Sequence, residues 1–313
     1  YGRGGMQVTV TDAHVWLGRI PADLLLGGTT PLDRAAVEAP LRRLADRLGL
    51  DLESAAWGVL EVSNTVMEGA LRVISVERGY DPRDLTLVAF GGAAPLHACE
   101  LADRLGIERV LVPPDPGCLS ARGILIAEIR KDASRTVLRS ASEFGPEELR
   151  RAFRPLEAAA RAELRAEGVP AGAIRVERWI DARYAGQAYE IPVPAGPRWV
   201  AAFHRRHRAR YGFARPGAPV EAVTLRVVAR APGLRPRWPR LAPGPAPAGR
   251  AHRVHHGGRW RAARRYDRAA LPPGTVLRGP AVITEFSATT WVPPGWAARV
   301  CPHGDLALAP LRH

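Results

Sequence analysis

With 313 residues, 46% of them hydrophobic, the chain can bury a sizeable core and fold as two units. Its formal net charge of +14 raises nucleic acid as a partner. Against this, Lys131 is the only lysine, and the arginine runs 205–210 and 259–265 lack regularly spaced aromatics on which bases would stack, so no nucleic-acid partner is expected. No apolar run approaches the ~20 residues that span a bilayer, so no membrane association is expected. Cys99, Cys118 and Cys301 show no CxxC spacing, which fits reduced thiols in a cytoplasmic protein.

Residues 1–12 read as extended and glycine-rich. Their Thr9-Val10-Thr11-Asp12 turn can present a hydroxyl and the Asp12 carboxylate to Mg²⁺, usually through water. The same residues can instead form an Asx or ST turn that caps the next element. Val37, Leu41, Leu44 and Leu48 recur at helical spacing, predicting a surface helix that starts late or kinks at Pro40. A longer helix is predicted from Leu52 to Arg78, stopping at Gly79. On it Glu61, Asn64, Glu68 and Arg72 form one polar stripe, expected to be solvated with Glu68 and Arg72 paired. Val59, Val62, Val66, Val73 and Val76 supply apolar surface on its other faces.

The segment 84–112 carries the strongest pattern. An apolar run (85–90) meets Gly91-Gly92, then a helical segment (95–105), then a second apolar run (109–112). Strand, glycine turn, helix and strand within so short a span predict a parallel βαβ unit. Paired glycines at a strand's carboxyl end let backbone approach a ligand, and the following helix start offers free N–H groups to an anion. His97 falls on the first turn of that helix, where its imidazole can contact phosphate or a partner, or simply cap or pack.

Beyond a rigid Pro-rich loop (113–117), a helix is expected over 120–130 with Ile124, Leu125 and Ile126 buried, and a charged helix over 146–168. The remainder reads as mainly β, with alternation in 174–184, 188–193 and 220–228 and a short helix over 200–211. Residues 234–249 are rich in Pro and Gly and predict an exposed irregular linker. The division expected is an α/β part over 1–140 and a smaller, mainly-β (α+β) part over 141–313, with the Pro-rich linker near 231–249. No GxSxG, HExxH, P-loop or GxGxxG occurs. His204 and His207, and His252, His255 and His256, sit among arginines that would oppose a cation, so no metal is expected there.

The stretch VAFGGAAPLHACELADRLGIERVLVPPDPGCLSARGI resembles the signature of the hydantoinase A / 5-oxoprolinase family, as do YGRGGMQVTVTDAHVWLGRI and SNTVMEGALRVISVERGYDPRDLTLVAFGG. RYAGQAYEIPVP, HRRHRARYGF and GPAVITEFSATTWVPPGW extend the resemblance over nearly the whole chain in one order. It implies part of an actin-like ATPase fold whose DxGGT phosphate loops lie upstream of this point. Leu26-Gly27-Gly28-Thr29 lacks the acidic residue of such a loop, so the chain is expected to be the C-terminal part of a larger protein, inactive by itself. The implied activity is ATP-dependent opening of a cyclic amide such as a hydantoin or 5-oxoproline, ATP phosphorylating the amide oxygen. The implied cofactors are ATP with Mg²⁺ or Mn²⁺, and the implied partner is a hydantoinase B-type subunit or domain.

Carried onto this chain, the resemblance makes Gly91, Gly92, His97, Asn64, Gly4 and Gly5 the nucleotide-binding candidates and Asp12 the metal candidate. Acetone- and acetophenone-type carboxylase subunits resemble the same family and remain an alternative, as does a non-catalytic subunit that docks a B-type partner. One departure stands out. The family's GGAGP is Gly91-Gly92-Ala93-Ala94-Pro95 here, which costs ~1 kcal/mol if Ala94 must adopt a positive φ.

Overall fold

A computed structural model of the chain describes residues 5–23 and 32–311. Gly4 and the Leu26–Thr29 segment fall outside the described residues. In chain order the elements are α1 (Val10–Trp16), α2 (Arg34–Leu48), α3 (Leu52–Ile74), β1 (Leu87–Val88), α4 (Ala94–Leu105), β2 (Val110–Val112), α5 (Leu119–Ile126) and β3 (Ile129–Ser140). Then follow α6 (Pro146–Ala166), β4 (Arg175–Tyr184), β5 (Ile191–Pro194), α7 (Trp199–Tyr211), β6 (Val220–Ala231), β7 (Arg250–His256), β8 (Arg259–Asp267), β9 (Val276–Arg278), β10 (Ala281–Glu285), β11 (Ala288–Val292), β12 (Trp296–Val300) and β13 (Leu306–Pro310).

The chain packs as two units, one of residues 1–123 together with 237–313, the other of residues 124–236. This differs from a division at residue 140. The strand that ends there pairs with β6 of the middle segment, while β13 returns to pair with β2. Hydrogen bonding across long sequence separations, invisible to local pattern, sets the boundary.

The first unit holds two sheets, ordered β1-β2-β13-β12-β9 and β11-β10-β8-β7. β1 and β2 pair in parallel through α4, the βαβ unit expected, although β1 is only two residues long. α4 buries Leu96, His97, Ala98, Cys99, Leu101 and Ala102, and Gly106 ends it in the left-handed conformation that glycine adopts without strain. The middle unit is an antiparallel sheet, β3-β6-β4-β5. On it α6 packs through Leu149, Phe153, Ala160 and Leu164, the helix-periodic side of a charged sequence.

Several local expectations are corrected. α2 does not start late but runs from Arg34 through Pro40. Asp33 caps it by accepting from the N–H groups of Ala35 and Ala36, and Val37, Leu41 and Ala45 bury one face. The long helix ends at Ile74, and a single 3₁₀ turn carries the chain on to Gly79. The helix expected over 120–130 stops at Ile126, and Ile124, Leu125 and Ile126 are exposed, because three consecutive apolar residues cannot share one helix face. β3 escaped notice because it is an edge strand rich in charge, with Arg130 paired to Asp132.

Candidate functional site

The glycine turn at the end of β1 is the natural starting point. Gly91 has φ of 90°, while Ala93 is right-handed helical (φ −105°, ψ −29°) and Ala94 begins α4. Among the described residues only Asp115 and Leu138 combine a side chain with positive φ, so alanine in place of the family's third glycine is without cost. The two turn glycines have different reasons. A Cβ on Gly92 would stand 3.2 Å from the Ser287 carbonyl oxygen, so Gly92 serves packing. A Cβ on Gly91 would meet nothing among the described residues within 4 Å, so its backbone faces open space.

The loop after β2 fixes this turn. The Gly91 N–H donates to the Pro116 carbonyl at 2.7 Å, and Gly117 lies so close to Ser287 that a Cβ there would come within 2.5 Å of its hydroxyl. Behind the loop, the Arg268 guanidinium donates to the carbonyls of Val112 (2.8 Å) and Gly304 (2.9 Å) and to the Glu285 carboxylate (2.6 Å). The other Glu285 oxygen accepts the Asp115 N–H at 3.1 Å. Burial raises the Glu285 carboxyl above its ordinary value, with Arg268 offsetting part of the effect.

Beneath α4 lies a chain of buried polar side chains. The His14 and His97 Nε2 atoms are 3.0 Å apart, and His97 Nδ1 lies 2.7 Å from Asn64 Oδ1. The Asn64 amide donates to Glu100 at 3.0 Å, and Glu100 takes two bonds from Arg19, at 2.6 and 3.1 Å. A carboxylate only accepts, so the Asn64 amide points its N–H at Glu100 and its oxygen at His97. His97 therefore donates from Nδ1 and accepts at Nε2 from His14. With both imidazoles neutral, every donation runs toward Glu100.

The electrostatics agree with that assignment. Burial, then the neighbouring His97 and Arg19, lowers His14 well below its ordinary value, and burial lowers His97 to about 4. Burial pushes Glu100 up, but the Arg19 charge and the hydrogen bonds from Arg19 and Asn64 outweigh it and hold the carboxyl below its usual range. The Arg19 side chain is 0% exposed, with its guanidinium over the rings of Trp57 (5.1 Å) and Trp291 (5.3 Å). Stacking of this kind suits the flat, weakly hydrated guanidinium and not an ammonium.

Asn64 and His97 are thus brought together by one hydrogen bond, on α3 and α4, and Gly91 and Gly92 lie just ahead of α4. Asn64 and His97 are both buried, each with its polar atoms engaged in this network. Gly5 and Asp12 line a separate depression of about 320 Å³ with Thr9, Asp33 and Val37. His14, Arg19 and Glu100 were missed from sequence; the only local signal was His97 and Glu100 at i,i+3 spacing on a helix that is otherwise apolar where buried.

At Asp12 the capping alternative is what the structure shows. Thr9 and Asp12 form a capping box on α1, the Asp12 carboxylate accepting from the Thr9 N–H and hydroxyl at 2.8 Å each. No group of three His, Cys, Asp or Glu side chains among the described residues is placed to hold a metal. Asp12→Ala is expected to cost about 1 kcal/mol in urea denaturation, equally with and without Mg²⁺. A loss that appears only with Mg²⁺ would support a metal role. Of the other histidines, His204 bonds the Tyr184 hydroxyl, His207 the Phe213 carbonyl and His252 the Gly18 carbonyl.

Comparison with known proteins covers the chain from end to end. A Hydantoinase/oxoprolinase family model matches residues 1–133, and a Hydantoinase/oxoprolinase C-terminal domain model matches 139–308. Caprolactamase subunit alpha of Pseudomonas jessenii is 34% identical over 329 residues, covering 99% of this chain and 47% of the relative. For 5-oxoprolinase 1 of Arabidopsis thaliana the identity is 28% over 337 residues, covering 98% and 26%. The nucleotide-free structure of acetone carboxylase, from work on ATP-dependent acetone carboxylation, superposes with a TM-score of 0.87 at 25% identity, over 98% of this chain and 47% of that one. The crystal structure of the ATP-dependent caprolactamase gives 0.71 at 32%, over 100% and 48%. The chain spans less than half the length of these relatives.

Proposed function

The chain belongs to the hydantoinase/oxoprolinase family, and from that premise we propose that it forms one part of an ATP-dependent enzyme that opens a cyclic amide. The observation that carries this reading is the likeness, over the whole chain, to an ATP-dependent caprolactamase and to 5-oxoprolinase, whose names are those of enzymes acting on cyclic amides. ATP would supply a phosphoryl group to the amide oxygen, releasing ADP and making the carbon a better electrophile; water would add there, the ring C–N bond would break with the nitrogen leaving as amine, and a second water would release phosphate to leave the carboxylate.

This chain's share is positional. Gly91 leaves backbone open to a phosphate or ribose, the Pro116 carbonyl and the Arg268–Glu285 pair fix the turn, and the His14–His97–Asn64–Glu100 chain fixes α4 behind it. Gly5 lines the second depression and is a weaker candidate for nucleotide contact. Asp12 holds the cap through one carboxylate oxygen, Oδ2, and with its other oxygen is the candidate of this chain for holding the metal that accompanies ATP.

Two of the relatives are named as subunits, caprolactamase alpha and acetone carboxylase beta, and a hydantoinase B-type partner subunit is part of the proposal. Cytoplasmic location is proposed with it. The three cysteines are free, and no helix among the described residues is long and apolar enough to cross a membrane.

Calorimetry with ATP and Mg²⁺, on this chain and on the longer polypeptide that spans the full length of the relatives, tests the reading. Binding is expected in the longer polypeptide. Gly91→Ala, which forces a side chain to φ of 90°, should weaken that binding about tenfold through roughly 1–2 kcal/mol of strain. Absence of binding in both polypeptides would refute the ATPase reading and leave a docking subunit in its place. The 0.87 likeness to acetone carboxylase favours a second reading, ATP-dependent carboxylation of a ketone. ATP turnover that responds to ketone and bicarbonate but not to lactams, hydantoins or 5-oxoproline would decide for it.

A further inference from the structure

A cavity of about 730 Å³ opens at the carboxyl ends of β8 and β10, which run parallel to each other. Crevices at that end of parallel strands are where α/β sheets usually receive small ligands. Two aromatic rings line it, Tyr266 near the end of β8 and Phe286 just past β10. Tyr266 packs against the backbone of Gly249, where a Cβ would stand 2.6 Å from the ring, and Phe286 is 64% exposed. The residue after Phe286 is Ser287, whose carbonyl lies against Gly92. One residue of the hairpin tip thus lines the cavity and the next touches the glycine turn. Glu285, also in the wall, accepts the Asp115 N–H from the loop that holds that turn.

The charges around the cavity are not balanced by one another. Arg250 and Arg265 stand directly opposite on β7 and β8, a placement that is destabilising for like charges left bare. Asp23 pairs with Arg265 at 2.8 Å, whereas Arg250 has no ion pair among the described residues. Glu285 is engaged by Arg268 at 2.6 Å. Asp267 uses one oxygen to accept the Ala269 N–H at 3.0 Å, and its other oxygen accepts no bond among the described residues. The cavity therefore offers two aromatic faces, one uncompensated cation and one free carboxylate oxygen.

We propose that this cavity receives the substrate ring and selects a cyclic amide that carries a carboxylate over a neutral lactam. Arg250 takes the carboxylate, Asp267 accepts the ring N–H, and Tyr266 and Phe286 cover the ring carbons. A neutral lactam would leave the guanidinium without a partner, and with it the strongest contact the cavity can make. The inference rests on the cyclic-amide reading and adds to it the place of the ring and the sign of its substituent.

Equilibrium binding to the longer polypeptide, without ATP, tests it with 5-oxoproline and 2-pyrrolidinone, the same five-membered lactam with and without a carboxylate. 5-Oxoproline should bind tighter by about tenfold or more. Arg250→Gln should lower 5-oxoproline to the level of 2-pyrrolidinone and leave the latter unchanged, and Phe286→Ala should weaken both. Both side chains are exposed, so neither variant should move the urea midpoint. Equal affinity for the two lactams, or a preference that survives Arg250→Gln, would overturn the proposal. So would a loss of ATP binding in Phe286→Ala with lactam affinity intact, which would give the cavity to the nucleotide. ATP binding with no lactam binding would sink this proposal alone, and lactam binding with no ATP binding would sink the ATPase reading alone.

Discussion

Arg19→Ala is expected to destabilise the first unit by about 3–5 kcal/mol, the cost of removing one partner from a buried ion pair. Arg19 is fully buried, and Glu100, with its side chain 12% exposed, keeps its charge because Arg19 donates two hydrogen bonds to it. Without Arg19, among the described residues the Asn64 amide, with His256 3.9 Å away, remains near the carboxylate. The indole rings of Trp57 and Trp291 lose their cation contact as well. The penalty should depend on pH. Losing the guanidinium lets burial raise the Glu100 carboxyl, so acidification neutralises it and relieves the variant. Urea denaturation at pH 7 and pH 5 should therefore show a gap between wild type and variant that shrinks at the lower pH. A gap under 1 kcal/mol at pH 7 would mean that water reaches Glu100 and that the network is not a buried strut.

Acidification of the wild-type protein is the second large effect. His97 is lowered from 6.5 to about 4, chiefly by burial. Between these values the unfolded chain binds a proton that the folded chain refuses, so stability is highest above about pH 6.5 and falls as pH drops toward 4. The loss from His97 amounts to roughly 3 kcal/mol. His14 is shifted in the same direction and adds to the loss. Glu100 acts lower down. Its folded value lies below 4.5, so its contribution is present above 4.5 and disappears as pH falls through that lower value. Stability measured from pH 7 to 4 should therefore slope downward, and His97→Gln, which cannot titrate, should flatten the slope. The same slope in His97→Gln and wild type would remove His97 as its source.

The elements that sequence made legible are those whose signal is local. Gly91-Gly92 between an apolar run and a helix-periodic segment predicted the βαβ unit, and Gly79 marked a turn where glycine's positive φ is used. The site was legible only in part. Asn64 and His97 stood out as polar residues on helices, but their meeting depends on α3 and α4 lying side by side, and no spacing reveals that. Arg19 follows an ordinary helix end, and nothing in its neighbours announces an arginine with no solvent exposure. The polar stripe of α3 was read as solvated with Glu68 and Arg72 paired; that pair forms and Arg72 is exposed, whereas Asn64 is buried and Arg104 of the neighbouring helix reaches Glu61 and Glu68. The irregular stretch before β7 was read correctly, because closely repeated prolines and glycines there remove backbone donors and disfavour both helix and strand.

The sheet order β2-β13-β12 has a consequence for synthesis. β13 lies between β2 and β12, yet it leaves the ribosome nearly two hundred residues after β2. At the usual ~5–20 residues per second the delay is on the order of 10–40 s. Throughout it the strand that closes the glycine-turn unit is missing, and α4 has only part of its seat. The middle segment, complete at Pro236, has that interval in which to fold first, so the part of the chain bearing the candidate site is the last to be finished.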